Sequence, residues 1–318
     1  MKRFLVTGGA GFIGSHIVEA LVKKGHFVRV LDNFSSGKIE NLDFTYNLTP
    51  KTYGLIKGDI RSQGTCIRVT RDIDFVLHQA ALRSVPKSMR NPREYHEVNI
   101  NGTLNMLEAS LKNKVKCFCF ASSSSVYGNI NSFPESEDFS PHPISPYALT
   151  KLTGEHYCRM FSHHYGLPTV SLRYFNVFGP RQALDDEYAV VIPKFINCIL
   201  NDEPPPIYGT GRQSRDFTYV DNVVAANILA SQKLKLNARV FNVGCGRDYS
   251  ILGLVKILNK IMHKNIKPVF LEPRPGDVLK TQADISNIAK ELGYKPRIDF
   301  VKGLELTINY FKEVSGKL

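Results

Sequence analysis

The sequence lacks any run of about 18 consecutive apolar residues, the shortest length that crosses a bilayer as a helix. Residues 1–8 contain an apolar stretch, but it is too short for a secretory signal peptide and glycines follow it at once. We therefore expect a cytoplasmic protein that does not associate with a membrane.

Cysteine pairs and metal-like clusters are also missing. The six cysteines are scattered, none forms a CxxC pair, and none clusters with histidine as metal ligands do. Cys117 and Cys119 lie two positions apart in an apolar run, which predicts one face of a buried strand. We expect free buried thiols in a reducing compartment and no metal site.

The chain has no run of basic residues, although its formal net charge is +12, from 41 Lys and Arg against 29 Asp and Glu. The positive residues are dispersed, and no basic stripe interleaved with aromatic residues is present. This distribution argues against nucleic acid as a partner. It fits a solvated surface together with an anionic small-molecule substrate.

Internal repeats and low-complexity linkers are absent, and the first half of the chain alternates between apolar strands and helices. We expect helices at residues 12–24, 95–112 and 146–165, and strands at residues 4–7, 27–31, 54–57, 74–77, 116–121 and 169–173. This order predicts an α/β fold, a Rossmann-type doubly wound parallel sheet covered on both faces.

The alternation breaks down after about residue 176, where prolines and glycines become frequent. We therefore predict a dinucleotide-binding domain at residues 1–176 and a smaller mixed α/β lobe at residues 177–318. Some later segments, such as residues 239–244, would return to the N-terminal sheet. The lobe would roof the carboxyl edge of the strands, where ligands of such sheets bind.

A glycine-rich turn, with Gly8, Gly11 and Gly14, follows the first strand and opens the first helix. Glycines let the backbone approach a pyrophosphate, and the helix N-terminus offers free N–H groups. Asp32 ends the second strand about 20 residues further on, where an acid accepts hydrogen bonds from ribose hydroxyls. Because that carboxylate repels a 2′-phosphate and no arginine follows it, we expect NAD rather than NADP.

Tyr147 and Lys151 lie four residues apart, on one face of a predicted helix, with a serine run at residues 122–125 upstream. An ammonium beside a phenol favours the phenolate, so we expect Lys151 to lower the pKa of Tyr147. Such a base can take a proton from an alcohol while a hydride leaves for NAD.

Several motifs in the same order resemble the extended short-chain dehydrogenase/reductase family, and within it the nucleotide-sugar 4-epimerases. The match covers nearly the whole chain and rests on residues 7–14, 58–61, 78–81, Asn99, residues 122–128, Tyr147 with Lys151, residues 173–176 and residues 274–277.

The resemblance implies which residues bind NAD. Asp59 and Ile60 correspond to the pair beside adenine, and Tyr174 to a residue beside the nicotinamide. Short polar residues at strand ends, such as Asp59 and Asn99, also commonly cap turns. The implied set is Gly8, Gly11, Phe12, Ile13, Asp32, Asn33, Ser35, Ser36, Gly37, Asp59, Ile60, Gln79, Ala80, Ala81, Asn99, Tyr147, Lys151 and Tyr174.

The resemblance also implies a UDP-sugar site. Arg215 and Arg274 correspond to two arginines on the diphosphate, and Asp277 to an acid on the nucleotide ribose. Ser123 corresponds to the serine that contacts the sugar O4, so the implied catalytic set is Tyr147, Lys151 and Ser123. The implied substrate set is Ser123, Ser124, Ser125, Tyr147, Asn176, Arg215, Arg274, Asp277 and Thr281.

The residues before Val126 separate related chemistries. Dehydratases of the family have an Asp-Glu pair where this chain has Ser124 and Ser125, and decarboxylating relatives also have an acid there. Elimination needs such an acid–base pair, whereas epimerisation does not. The resemblance therefore implies reversible C4 epimerisation of a UDP-sugar through a 4-keto intermediate.

Thr281 bears on which sugar is bound. Its family position lines the sugar pocket, where a small residue leaves room for an N-acetyl group. Glucuronate 4-epimerases differ from this chain at Asn176 and at Ala183, where they have an arginine, although Arg83 is an alternative carboxylate partner. We expect UDP-N-acetylhexosamines first, UDP-hexoses second and UDP-glucuronate third.

Two rival functions are an NAD-linked dehydrogenase that releases a ketone and a non-catalytic NAD sensor. The first would exchange NADH with solution, and the second would not need the Tyr147, Lys151 and Ser123 set. The family commonly forms homodimers through two helices per subunit, here within residues 92–112 and 146–165. Met106, Leu107, Tyr157 and Phe161 would face either a partner or the sheet.

Overall fold

The computed structural model describes residues 1–183, 191–233, 236–273 and 278–316. Within these ranges the strands are β1 (Arg3–Thr7), β2 (Phe27–Asp32), β3 (Tyr53–Lys57), β4 (Phe75–His78), β5 (Cys117–Ser123), β6 (Thr169–Tyr174), β7 (Val177–Phe178), β8 (Pro206–Tyr208), β9 (Ser214–Arg215), β10 (Thr218–Tyr219), β11 (Arg239–Val243), β12 (Tyr249–Ser250) and β13 (Val269–Leu271). The helices are α1 (Phe12–Lys23), α2 (Gln63–Val69), α3 (Val85–Arg90), α4 (Pro92–Tyr95), α5 (Gly102–Lys112), α6 (Pro146–Tyr165), α7 (Val191–Leu200), α8 (Val220–Gln232), α9 (Ile251–Met262), α10 (Ser286–Leu292) and α11 (Phe300–Val314).

Seven strands form one parallel sheet in the order β11-β6-β5-β4-β1-β2-β3. Every residue of β4 and β6 is buried, as expected for strands covered on both faces. The predicted doubly wound sheet is confirmed. Because the chain moves outward from β1 first towards β3 and then towards β11, the strand order reverses between β1 and β4, which is where such sheets bind their ligands.

Helices cover both faces of this sheet. Side chains that alternate along β1 separate the two cores: Phe4 and Val6 pack with α1 and α8, and Leu5 packs with α2, α5 and α6. The sheet is therefore the middle layer of three, and the catalytic candidates on α6 are held against it from one side.

A second core lies in the C-terminal lobe. It is formed by α7, α9 and α11, with aromatic contacts such as the stacked rings of Phe217 and Phe300, 5.1 Å apart. Three two-stranded pairs, β7 with β10, β9 with β12 and β8 with β13, surround it. Strand β11 and helix α8 also come after residue 176, yet they belong to the sheet, β11 at its edge and α8 on its face.

The helix predicted at residues 95–112 is interrupted. Residues His96–Asn101 form a π-helical turn between α4 and α5. Turns of this kind are frequent at functional sites because they redirect side chains. Here the turn carries Asn99, whose contacts are described below. None of the helices in the described ranges combines the length and the apolarity that a membrane crossing requires.

Candidate functional site

Two cavities adjoin at the carboxyl edge of the sheet. The first, the dinucleotide cavity, is lined by Gly8, Gly11, Phe12, Ile13, Gly14, Leu31, Asp32, Asn33, Ser35, Ser36, Gly37, Gly58, Ile60, Arg61, Gln79, Ala80, Ala81, Leu82, Arg83, Glu94, Val98, Ala121, Ser122, Tyr147, Lys151 and Tyr174. The second, the lobe cavity, is lined by Arg83, Ser84, Val85, Pro86, Asn176, Val177, Phe178, Gln182, Val191, Ile192, Pro193, Phe195, Pro206, Ile207, Tyr208, Gln213, Arg215, Phe217 and Ile251. Sixteen of the eighteen residues expected to bind NAD line the first cavity.

The backbone of the glycine turn has the geometry expected of a dinucleotide site. Gly8 has a φ of +66°, and a Cβ there would lie 2.8 Å from the backbone nitrogen of Ala80. Gly14 is tighter, because its Cβ would lie 2.1 Å from the carbonyl oxygen of Gly8. Gly11 precedes α1 without any side-chain cap, so the helix N-terminus presents its N–H groups to the cavity. Only glycines permit this cradle.

Asp32, the residue predicted to bind the adenosine ribose, has a fixed carboxylate. Its side chain is 7% exposed and lines the dinucleotide cavity. The oxygen Oδ2 accepts the N–H of Ala10 at 2.9 Å, and Oδ1 accepts the N–H of Phe34 at 2.8 Å. These bonds fix the carboxylate at the end of β2 and leave each oxygen with capacity for a ribose hydroxyl.

The catalytic candidates meet at the opposite end of the dinucleotide cavity. Tyr147 begins α6 next to Pro146, and the side chain of Ser145 caps the helix by accepting the N–H of Ala148. Lys151 lies one turn later and donates to the carbonyl oxygen of Ala121 at 2.8 Å, with its Nζ 5.9 Å from the centre of the Tyr147 ring. Helix α6 thus presents both side chains at the end of β5.

Burial controls the ionisation of this pair. It lowers the pKa of Lys151 to about 7, so the amine is largely neutral above that pH. Burial also raises the pKa of Tyr147, although a hydrogen bond with Ser123 and the positive charge of Arg83 act in the opposite direction. The expected lowering by Lys151 is therefore wrong for the protein's own groups, because desolvation outweighs the neighbouring charges.

The serine run divides between two tasks. Ser122 donates to Glu155 at 2.5 Å, and Glu155 in turn pairs with Arg173 through two bonds of 2.8 and 2.9 Å. This buried ion pair ties α6 to β6. Ser123 instead hydrogen-bonds Tyr147 and accepts the hydroxyl of Ser125 at 2.8 Å. The following turn, Ser124–Tyr127, is a 3₁₀ helix. Ser123 is therefore the serine that reaches the candidate base.

Tyr174 is held by a buried amide network. Its hydroxyl donates to Gln79 Oε1 at 3.0 Å and accepts from Asn227 Nδ2 at 2.8 Å, while Gln79 Nε2 donates to Asn227 Oδ1 at 3.1 Å. Asn227 lies on α8 and is fully buried. Sequence reasoning missed Asn227, since only the fold brings α8 beneath the ends of β4 and β6.

Asn99 and Asp59 do not line the dinucleotide cavity. Asn99 accepts the N–H of Leu82 at 2.8 Å and donates to the Leu82 carbonyl at 3.0 Å and to Thr150 at 3.0 Å. Asp59 accepts three bonds from Arg61, one from its backbone N–H and two from its guanidinium, and these lower the pKa of the Asp59 carboxyl to about 2. Both residues fix loops that line the cavity, so their placement agrees with the turn-capping alternative.

The lobe cavity collects Arg215 and Asn176 from the expected substrate set. Its far wall is apolar, and the residues forming it were not singled out in the sequence: Val191, Ile192, Phe195, Ile207, Tyr208 and Phe217. The cavity therefore has a polar end at Arg83, which also lines the dinucleotide cavity, and an apolar end within the lobe. This suits a ligand with a hydrophilic group at one end and a flat ring at the other.

Thr281 does not line the lobe cavity but contacts Asn176, which does. Its side chain is 9% exposed, and its hydroxyl accepts the side-chain N–H of Asn176 at 2.9 Å. Asp216, fully buried beside Arg215, accepts three backbone N–H bonds, from Cys245, Gly246 and Ala283. Thr281 therefore shapes the cavity through Asn176. Ser123, Ser124 and Ser125 line neither cavity, while Arg274 and Asp277 lie outside the described residues.

No group of three or more His, Cys, Asp or Glu side chains within the described ranges is arranged to hold a metal ion. The six cysteines are free, and Cys117 and Cys119 pack in one core on the same face of β5.

Comparisons with known proteins agree with this geometry. The model of the NAD dependent epimerase/dehydratase family matches residues 4–244. Among solved structures, UDP-N-acetylglucosamine 4-epimerase from Methanobrevibacter ruminantium, in complex with UDP-N-acetylmuramic acid, is 43% identical over 98% of this chain and 99% of its own, with a TM-score of 0.93. UDP-glucose 4-epimerase from Thermotoga maritima, with UDP-glucose, is 40% identical over the same shares, with a TM-score of 0.92.

Chemistry varies among the relatives. UDP-N-acetyl-alpha-D-glucosaminuronate decarboxylase from Bacillus cytotoxicus is 36% identical over 99% of this chain and 99% of its own length. The glycine cradle, Asp32 and the paired Tyr147 and Lys151 are thus set in a chain that aligns from end to end with enzymes of one family. The protein is an NAD-dependent enzyme and belongs to the NAD dependent epimerase/dehydratase family.

Proposed function

We propose that the protein reversibly inverts C4 of a UDP-linked sugar through a transient 4-keto intermediate, with UDP-N-acetylhexosamines as its preferred substrates and UDP-hexoses next. The observation that carries the proposal is that Tyr147 lines the dinucleotide cavity, hydrogen-bonds Ser123, and lies within the electrostatic influence of Arg83, which lines both cavities. A sugar bound in the lobe cavity would present its 4-OH to this pair.

The lining of the lobe cavity favours epimerisation over elimination. Among its described residues there is no Asp or Glu, and the acids that line the dinucleotide cavity are Asp32 and Glu94. A dehydratase needs a carboxyl group beside the sugar to remove water after oxidation. Glu155, which accepts a hydrogen bond from Ser122 of the serine run, is already paired with Arg173.

The protein's residues would share the proton chemistry. The phenolate of Tyr147, which the positive charge of bound NAD would favour, would accept the proton of the 4-OH, and Ser123 would hydrogen-bond both the phenolate and the sugar oxygen. Lys151 donates to the Ala121 carbonyl oxygen and would also hold the nicotinamide ribose. Bound NAD supplies the acceptor for the C4 hydride and the donor for its return.

Inversion requires that the keto sugar present its other face before the hydride returns. Arg215 would anchor the diphosphate while the sugar turns, and the apolar end of the lobe cavity would hold the uracil ring. Tyr147 would then return the proton to O4. Binding energy at the nucleotide end thus keeps the intermediate bound during the rotation.

The choice of sugar rests on Thr281 and Asn176. Thr281 is small, and its bond to Asn176 holds in place the amide that lines the lobe cavity. We expect Thr281→Tyr to lower kcat/KM for UDP-GlcNAc roughly tenfold or more relative to UDP-Glc, because the larger ring would push Asn176 into the cavity and reduce the room for an N-acetyl group. Thr281→Val is the matched control, since it removes the bond to Asn176 without filling the cavity.

The direct test is incubation of the purified protein with UDP-GlcNAc, UDP-Glc and UDP-GlcA in separate reactions, with C4 epimers followed by NMR. The proposal predicts epimers without accumulation of free NADH. Release of an oxidised sugar with free NADH would instead identify a dehydrogenase, and loss of CO₂ from a uronate would identify a decarboxylase.

We also propose a homodimer. Met106, Leu107 and Phe161 are buried against the sheet and cannot face a partner. Leu149 and Met160, however, lie exposed on α6, at 53% and 40%. Sedimentation of the wild type as a dimer, weakened by Leu149→Glu, would support α6 as the interface. A monomeric wild type would rule it out.

A further inference from the structure

His78 ends β4 as a buried side chain, 1% exposed, that lines neither cavity. Its register partner on β1 is Thr7, the residue that precedes the glycine turn. The imidazole lies between two hydroxyl groups, with Nδ1 2.8 Å from the hydroxyl oxygen of Thr7 and Nε2 3.1 Å from that of Thr103 on α5. One ring therefore bridges the strand that leads into the glycine turn and a helix on the face of the sheet that also carries α6.

The partners of this ring fix which nitrogen carries its hydrogen. Burial lowers the pKa of His78 to about 3, so the ring is neutral and has one N–H. Thr103 donates its hydroxyl hydrogen to the backbone carbonyl of Asn99 at 2.6 Å, so its oxygen has to accept the Nε2–H of His78. Nδ1 then has no hydrogen and accepts the hydroxyl of Thr7. Each bond in this series has one possible direction.

The series extends to both parts of the site. At one end the hydroxyl oxygen of Thr7 accepts the N–H of Ala80, which lines the dinucleotide cavity, at 3.2 Å. At the other end the side chain of Asn99 donates to the hydroxyl of Thr150 at 3.0 Å, and that hydroxyl donates to the backbone carbonyl of Tyr147 at 2.8 Å.

We call the side chains of this series the histidine network: Thr7, His78, Asn99, Thr103 and Thr150. Each is at most 3% exposed, so water does not compete for its bonds. The histidine network thus joins one wall of the dinucleotide cavity to the backbone of the candidate base.

The reaction needs these two parts of the site in one fixed geometry. The glycine turn would hold the pyrophosphate of NAD, whereas α6 holds Tyr147 and Lys151. A misplacement of reacting groups by about 1 Å can cost roughly 10²-fold in rate. Apolar packing between α6 and the sheet is not directional, but hydrogen bonds set both distance and angle. The histidine network supplies that directional link.

We propose that His78 is a positioning residue, which through Thr7 and Thr103 holds the glycine turn and the start of α6 in the geometry that hydride and proton transfer require. The inference rests on the proposed epimerase function and adds to it a side chain that lines neither cavity. Loss of the bonds of His78 should lower kcat. It should leave the KM for the sugar nearly unchanged, because no residue of the histidine network is among the described residues that line the lobe cavity.

The first test is Thr103→Val, which keeps the shape of the side chain and removes its hydroxyl. At saturating NAD we expect kcat for UDP-GlcNAc to fall roughly tenfold, with KM within about twofold of the wild type. Thr307→Val on α11 is the matched control. Thr307 is also buried and donates to the carbonyl four residues before it, that of Gly303, at 2.7 Å. It should lose similar stability and keep its kcat. An unchanged kcat in both variants would mean that the histidine network serves folding alone, which overturns the proposal.

Substitutions of His78 itself test the two bonds of the ring. His78→Phe keeps an aromatic ring beside Phe118 and Phe120 but loses both bonds, so kcat should fall at least as far as in Thr103→Val. His78→Gln keeps an amide that can donate to Thr103, and it should recover part of the kcat. In the double variant of His78→Phe and Thr103→Val the two losses should not multiply, because both break the same series of bonds. Fully multiplied losses would show independent effects and refute the proposal.

The state of the ring is measured without activity. Nitrogen-15 NMR of histidine-labelled protein should show His78 neutral, with its hydrogen on Nε2, from about pH 5 to pH 8. A hydrogen on Nδ1, or a charged ring, would contradict the directions of the bonds on which the proposal depends.

Failure of the proposed function would look different. If UDP-sugars epimerise and Thr103→Val keeps the wild-type kcat, the positioning role alone is wrong. If no UDP-sugar is epimerised, NAD binding by calorimetry still decides. A loss of NAD affinity by a few-fold in Thr103→Val but not in Thr307→Val would support the link to the glycine turn. Equal NAD affinities in the two variants would refute it.

Discussion

The two cavities are built in different ways. The dinucleotide cavity is formed within the first 174 residues by glycines, backbone groups and side chains that bond one another, such as Gln79 and Tyr174 with Asn227 behind them. The lobe cavity is formed by side chains from segments that start near Arg83 and end at Ile251. Its walls are apolar rings and two arginines rather than backbone.

This difference teaches how function is divided in the fold. A cofactor common to a family can be held by backbone geometry, which leaves little freedom to vary. A substrate that differs among relatives is held by side chains, each of which can change alone. We expect substitutions in the first cavity to affect all substrates equally and those in the second to discriminate among them.

The largest effect on kcat is expected from substitution of Tyr147. Tyr147→Phe removes the group that accepts the sugar proton, and loss of a general base costs roughly 10²- to 10⁴-fold in kcat. NAD should remain bound, because Ser123, Lys151 and the glycine cradle are untouched. The measurement is kcat for UDP-GlcNAc epimerisation together with NAD content of the purified protein.

Tyr157→Phe on the same helix is the control for Tyr147→Phe, since Tyr157 packs on the core that α6 shares with the sheet. It should leave kcat unchanged. Full activity in Tyr147→Phe would remove Tyr147 from the base role and direct attention to Ser123.

The backbone design of the first cavity is tested by Gly8→Ala. The new Cβ would lie 2.8 Å from the Ala80 nitrogen, so the turn that faces the pyrophosphate has to shift. We expect NAD affinity to fall by about tenfold or more, a loss of binding free energy of about 1.4 kcal/mol or more. Activity should fall by the same factor with every substrate at limiting NAD.

Gly25→Ala matches it closely. Gly25 has a φ of +74°, similar to +66° at Gly8, but nothing lies within 4 Å of its Cβ position. Both variants carry the same left-handed strain of about 1 kcal/mol, and only Gly8→Ala meets the cavity. Equal NAD affinities in the two would show that the cradle does not depend on close approach.

The sequence predicted the residues of the dinucleotide cavity better than those of the lobe cavity. Gly8, Asp32 and the pair Tyr147 and Lys151 belong to a strand–turn–helix unit or to one helix, where spacing alone fixes geometry. Asn227 lies 148 residues from Gln79, and the rings of the lobe cavity come together only when α7, β8 and β10 pack. No local pattern marks such contacts.

The pKa of Tyr147 shows a second limit. Spacing correctly placed Lys151 near the phenol, and the sequence suggested that its charge would dominate. The direction depends on burial, which a sequence does not state, and burial both raises the pKa of Tyr147 and discharges Lys151. The position of an ionisable side chain can therefore be predicted from sequence more reliably than its charge state, which depends on burial.

Lys151 links this ionisation to stability. Its pKa is about 7 in the folded protein and 10.5 as the ordinary value. Between these values the unfolded chain binds more protons, so the free energy of unfolding rises with pH. Lys151→Met lacks this contribution. From pH 7 to pH 9 the wild type should gain about 2 kcal/mol relative to Lys151→Met, measured by urea unfolding.

Lys112→Met, an exposed lysine on α5, provides the baseline and should follow the wild type at both pH values. If the free energy of unfolding of the wild type changed with pH as that of Lys151→Met does, Lys151 would keep its proton in the folded state. Its positive charge would then lower the pKa of Tyr147, as the sequence predicted.

The smallest effect concerns the amide behind the dinucleotide cavity. Asn227→Leu keeps the size of the side chain but removes its bonds to Tyr174 and Gln79, which costs about 1 kcal/mol of stability. Because Tyr174 and Gln79 line the cavity, we also expect NAD to bind a few-fold more weakly.

Asn259→Leu on α9 is the control, since it removes bonds to Val255 and Ile266 inside the lobe. It should cost similar stability without changing NAD affinity. If both variants weakened NAD binding equally, the two cavities would share one cooperative scaffold, and the division between backbone-built and side-chain-built sites would not hold.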